Sequence, residues 1–116
     1  MAINSSVLDD YKDVMGDDWG EFVVDLIDTF LLTAPRLITD MRQAQAENNL
    51  EILERSAHSL KSNGKTFGAV ELAESANDLE KMASMGELQN PQGKLDLIER
   101  HFQVVKRELE DLRTTL

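Results

Sequence analysis

Ala57-His58-Ser59-Leu60-Lys61-Ser62-Asn63-Gly64-Lys65-Thr66-Phe67-Gly68-Ala69 is the stretch whose reading decides the fold. Read as a helix, it places Leu53, Ala57, Leu60, Gly64 and Phe67 on one side, at i, i+4, i+7, i+11 and i+14. His58 then points away from that side, with Lys61, Ser62 and Lys65 as its surface neighbours. The competing reading is a turn at Ser62-Asn63-Gly64, because these are turn residues and a mid-helix glycine costs about 1 kcal/mol relative to alanine. A turn there would part His58 from Lys65. The helix is favoured because Gly64 falls on the inward stripe, where a missing side chain lets a neighbouring helix approach closely. The surroundings of His58 are also unusual in charge. No acid occurs from Ser56 to Val70, although 22 acids in 116 residues would place about three in 15 positions.

The totals bound the rest. A chain of 116 residues, 41% apolar and 29% charged, suits one globular domain with a single core, spanning residues 1–116. Two prolines, six glycines and an abundance of Ala, Leu, Glu, Lys, Gln, Arg and Met point to an all-α protein. The absence of cysteine excludes a disulfide framework and thiolate metal sites. A formal charge of −10 argues against nucleic acid and anionic membrane as partners. Neither a leader-like N-terminus nor an apolar run approaching the roughly 20 residues of a membrane span is visible. The expectation is a cytoplasmic monomer, and the initiator methionine fits a free-standing protein.

Working outward, Val7, Leu8, Tyr11, Val14 and Met15 form a short first helix, capped by Ser5 or Ser6 and ended by Gly16. Asp17 or Asp18 caps a long second helix, which Pro35 should kink without dividing, since the apolar period keeps its phase from Phe30 to Met41. This helix has a surplus apolar seam, Val24, Leu31 and Ile38, read as covered in part by the first helix or else as a docking strip. Glu47-Asn48-Asn49 reads as a turn, with Asn48 capping the third helix, about Asn49 to Phe67. Gly68 breaks it, a fourth helix runs from about Ala69 to Met85, and Gly86 closes that one. Asn90-Pro91 opens the last helix, with Leu95, Ile98, Phe102, Val105, Leu109 and Leu112 on one face. Met41, Met82 and Met85 read as core filler and His101 as a boundary residue. Four substantial amphipathic helices with short connections predict an antiparallel up-down four-helix bundle with a short additional N-terminal helix. Only the first few residues, the Gly86–Asn90 connection and the tail beyond Arg113 should be weakly structured.

Ala57-His58-x-Leu60-Lys61, then Gly68-Ala69, Leu72-Ala73 and Leu79-Glu80, resembles the signature of histidine-containing phosphotransfer (HPt) domains. The chain departs from it at Ser62, where the family usually has glycine, and at Gly64, where serine or alanine is common. The resemblance implies a phosphorelay carrier, not an autonomous ATP-dependent kinase. His58 would accept a phosphoryl group from a receiver-domain aspartate or a hybrid sensor histidine kinase and pass it to a response-regulator aspartate. Lys61, Lys65 and Ser62 would stabilise the phosphate, while Gly64 and Gly68 would serve close packing and access. The flanking lysines would also favour the neutral imidazole by like-charge repulsion. No metal site or cofactor is expected in this chain, Mg²⁺ belonging to the partner receiver. The alternative is a helical-bundle adaptor that binds receivers without accepting phosphate. A general-base enzyme built on His58 would lack a visible acid partner and oxyanion donors.

Overall fold

The computed structural model describes residues 1–116. A 3₁₀ turn (Ser5–Leu8) leads into α1 (Asp9–Met15), and a second turn (Gly16–Asp18) leads into α2 (Trp19–Ala46). Then come α3 (Leu50–Thr66), α4 (Val70–Met85) and α5 (Pro91–Arg113). Each long helix packs on the next and α5 closes against α2, giving the expected four-helix bundle with its short N-terminal helix. Its dimensions, 47 × 23 × 20 Å, are set by α2, whose 28 residues rise about 42 Å.

Polar pairs record the antiparallel register. Asp28 and Arg42 of α2 meet Arg113 and Asp96/Glu99 of α5, so the two helices run in opposite directions. His58 and Lys61 of α3 reach Glu80 and Asn77 of α4 in the same reversed order. Between them lies one core, centred on Phe30, whose ring meets Phe67 at 5.3 Å and Phe102 at 5.9 Å. Each such aromatic pair contributes roughly 0.5–1.5 kcal/mol beyond its buried area.

Several boundaries differ from the sequence expectation for local reasons. The α3 cap is Asn49, whose side chain accepts from the Ile52 amide at 3.2 Å, while Asn48 takes a left-handed φ of 55° in the turn. Asn4, not Ser5 or Ser6, caps the first turn. Asp18 stands at the start of α2 without a side-chain cap. Helix α2 runs unbroken through Pro35, which is exposed, so the proline ring sits on the solvent side.

The surplus seam of α2 is not a free strip. Ile38 is buried and Leu31 packs against the core. The pairs at Asp28 and Arg42 lay α5 along that same side, whereas the first 3₁₀ turn and α1 meet the start of α2, through Leu8–Trp19 and Tyr11–Phe22. Of the three methionines, Met41 is buried and Met82 packs at the core margin, but Met85 in the last turn of α4 is exposed. His101 is half-buried, as a boundary residue should be.

The N-terminus is more ordered than composition suggests. Ile3 is 5% exposed, and the Ala2 and Ile3 amides donate to the Glu108 carboxylate at 2.7 and 3.0 Å. The Asn4 amide donates to the Phe67 carbonyl at 2.9 Å, tying this arm to the end of α3. Gly68 fits that contact and little else would. Its φ is +63°, and a Cβ there would stand 2.7 Å from Asn4 Cβ.

Candidate functional site

The facing surfaces of α3 and α4 are built largely from small buried residues, Ser56, Ala57 and Gly64 against Ala73, Ser75 and Ala76. This packing lets polar side chains at the margin of the pair meet across it. Ala69 lies at the pivot of the hairpin, and His58 and Glu80 each stand 11 residues from it; Lys61 and Asn77 each stand eight away. The His58 side chain is 59% exposed, with Nδ1 2.8 Å from Glu80 Oε2. Lys61 is only 17% exposed; its Nζ lies 2.6 Å from Glu80 Oε1, off the ideal hydrogen-bond direction, and donates to Asn77 Oδ1 at 3.3 Å.

Two sequence expectations change here. Lys61 is not a free cation beside the imidazole, because Glu80 neutralises it. The charge nearest the ring is therefore a carboxylate rather than an ammonium, so repulsion by flanking lysines does not describe its surroundings. The window around His58 is free of acids along the chain, but not in space.

Glu80 itself is ionised at neutral pH. Its partial burial works to raise the carboxyl pKa, but the close ion pair with Lys61 and the hydrogen bond from His58, reinforced by their charges, together hold it below its ordinary value. An ionised carboxylate can only accept, so a neutral His58 ring bonded to it carries its proton on Nδ1. The lone pair is then on Nε2. That atom is the free nitrogen of an exposed ring.

Lys65 is exposed and makes no ion pair. With Lys61, Val70, Glu74 and Asn77 it lines a shallow cleft of about 340 Å³ between α3 and α4. Ser62, one turn beyond His58, is exposed, and its backbone carbonyl accepts from Thr66 Oγ1 at 3.4 Å. Gly64 faces α4 across ordinary contact distances, since a Cβ there would find Leu72 at 3.7 Å and Ala69 O and Ala73 N at 3.8 Å. The site therefore has room for alanine at this position. Gly68 lies about 15 Å along the helix axis from His58 and serves the turn and the N-terminal arm.

Glu80 and Asn77 are the members that reasoning from α3 alone missed. The signal for Glu80 was available twice, in the Leu79-Glu80 pair of the resemblance and in the mirror symmetry about Ala69. No group of three His, Asp or Glu side chains converges on a metal-sized site. No helix is long and apolar enough to cross a membrane.

Comparison with known proteins gives the same answer from two directions. The family model for the Hpt domain matches residues 25–115. Among solved structures the chain is similar to the crystal structure of histidine-containing phosphotransfer protein B (HptB) from Pseudomonas aeruginosa PAO1. Identity is 29% and the TM-score 0.87, covering 99% of this chain and 96% of that one. Comparison with curated proteins gives no match. The α3–α4 hairpin, with its exposed histidine, falls wholly within the matched segment. The chain belongs to the Hpt domain family, the histidine phosphotransfer domains of two-component signalling.

Proposed function

We propose that His58 is the phosphoacceptor of a phosphorelay and that Nε2 is the atom that carries the group. The observation supporting this most directly is the 2.8 Å contact between His58 Nδ1 and Glu80 on an otherwise exposed ring. In the forward step, Nε2 attacks the phosphorus of a receiver's aspartyl phosphate. An N–P bond forms, the P–O bond to the aspartyl carboxyl breaks, and that carboxylate leaves with the electron pair. The ring becomes imidazolium-like as the bond forms, and the Glu80 carboxylate facing Nδ1–H stabilises that charge. An acyl phosphate is reactive enough that the carrier needs only a neutral, accessible nucleophile.

The other residues divide by what they touch. Lys61 holds Glu80 in place and ionised. Lys65, unpaired and two turns beyond His58, is the ammonium free to meet the phosphoryl oxygens, with the Ser62 hydroxyl between them. Transfer onward to a second receiver is the same displacement reversed. Mg²⁺ would be held by the receiver, and a hybrid sensor kinase is the natural source of its phosphate. No ATP-dependent kinase activity, self-association or membrane attachment is part of this reading, and its place is the cytoplasm.

The test is to incubate the chain with phosphorylated receiver domains of the same organism and follow acid-labile, base-stable label. Wild type should become labelled, and His58→Gln should lose the label while keeping its stability within about 0.5 kcal/mol, as for an exposed substitution. Wild type that binds receivers yet takes no label from any of them would favour the adaptor and reject the carrier.

A further inference from the structure

Helix α5 packs on α2 and α4, the same two helices that α3 packs against, so α5 and α3 are diagonal in the bundle and the outer face of α5 points away from His58. That face holds an open concavity of about 810 Å³, lined by α5 alone from Gly93 to Arg107. Val104 lies within it, 40% exposed, while Leu95, Ile98, Phe102, Val105 and Leu109 supply the inward stripe. Arg100 and Arg107 stand either side of Val104, seven residues and about 10 Å apart. Neither forms an ion pair, although Asp96 precedes Arg100 by one turn and Asp111 follows Arg107 by one turn. Asp96 is turned instead to Arg42, as is Glu99, each at 2.8 Å. Two guanidinium groups are thus left without a partner around an exposed valine, in a chain of charge −10.

We propose that this face of α5 is a second docking surface, seating an acidic helix of a partner protein that sets two carboxylates, seven residues apart, on Arg100 and Arg107 and an apolar side chain on Val104. Charge complementarity selects this occupant. Each guanidinium offers a planar fork of donors that a carboxylate meets with both oxygens. Asp96 and Glu99 at one end and Glu110 and Asp111 at the other bracket the arginines. A continuous polyanion, nucleic acid or an anionic bilayer, is repelled there, whereas single carboxylates opposite each arginine are not. The lining runs about 20 Å along the axis, which matches roughly four turns of a partner helix. The surface is independent of the chemistry at His58 and adds to it a means of holding the carrier. With a partner on α5, His58 stays open on the far side of the bundle, so the chain can be retained in an assembly while receivers exchange.

The probe is a synthetic helix of alanine and glutamine bearing two glutamates seven residues apart with a leucine midway between them, and a counterpart with lysine for glutamate. In ¹H–¹⁵N NMR of the unphosphorylated chain, the acidic peptide should shift the amides of Arg100, Gln103, Val104 and Arg107. Arg100→Glu and Arg107→Glu should each weaken its affinity about tenfold, whereas Arg36→Glu, the same charge change on an exposed arginine of α2, should not. With the peptide bound, a phosphorylated receiver should label His58 as fast as without it; a rate that falls about tenfold overturns the joint use of α5 and His58. No shift on α5, equal binding of the lysine peptide, or an equal loss in Arg36→Glu overturns the docking surface. So do shifts on α5 and α1 that grow with the concentration of wild type alone, since they place the acidic α1 of a second copy there. A chain that binds the peptide on α5 yet takes no label from any receiver overturns the carrier reading and leaves this surface standing.

Discussion

At the residue scale the chemistry proposed for His58 turns on Glu80. Replacing it with Gln keeps an acceptor for His58 Nδ1–H but removes the charge. A charged hydrogen bond exceeds a neutral one by about 1–1.5 kcal/mol, so Glu80→Gln should slow phosphotransfer about tenfold, measured by rapid quench at saturating receiver. An unaltered rate would mean that the carboxylate charge has no part in the step. The same residue predicts a pH dependence of stability. The Glu80 pKa is lowered in the folded chain from an ordinary 4.5, so its stabilising contribution is complete above that value and is lost as pH falls through the folded pKa. Urea unfolding should therefore find wild type more stable than Glu80→Gln at pH 7, by about 1–2 kcal/mol, with the gap closing in acid. Two glycines provide a contrast that does not depend on chemistry. Gly64→Ala should stabilise α3 by up to about 1 kcal/mol, because the site has room for a methyl group and alanine favours a helix. Gly68→Ala should destabilise by about 2 kcal/mol or more, since the left-handed φ and the contact with Asn4 both oppose a side chain.

At the element scale, the long helices were legible because their apolar periods are strong and their ends carry glycine, proline or asparagine signals. Gly86 ends α4 at a φ of 70°, and Asn90 caps α5 with Pro91 in the first turn, as the residue types require. Caps were less legible. Adjacent Asn48 and Asn49 are chemically equal candidates, and only the turn geometry decides which side chain faces the Ile52 amide. The N-terminal arm was not legible at all. Its order comes from contacts more than 100 residues away in the chain, at Glu108, which no local pattern encodes. Those contacts make a prediction at this scale. Ile3→Ala should cost about 2–3 kcal/mol as a buried aliphatic truncation, and Glu108→Ala should leave α5 folded while the Ala2, Ile3 and Asn4 amides exchange early. Arm amides that exchange no faster in Glu108→Ala would show that the carboxylate does not hold the arm.

At the scale of the whole molecule, the bundle brings two helices into mirror register about Ala69, and this register makes the site. Half of the site was visible along one helix: an exposed histidine with Ser62 and Lys65 following it. The other half, Asn77 and Glu80, lies 19 and 22 residues beyond His58 and becomes a neighbour only through the hairpin. Lys61 is visible in the sequence but its partner is not, because a lysine on a helix margin looks free until the facing carboxylate is known. The apolar seam of α2 changes its meaning for a similar reason. The apolar surplus of α2 is conspicuous at Val24, Leu31 and Ile38, yet α5 lies along that side and Ile38 is buried. Phosphotransfer through His58 Nε2 is therefore best tested nitrogen by nitrogen, with ¹H–¹⁵N and ³¹P NMR of the histidine rings after labelling by a phosphorylated receiver. One phosphoryl group per chain is expected, on Nε2 of His58, with the proton retained on Nδ1 toward Glu80. Phosphorus on Nδ1, on His101, or on no histidine would contradict it.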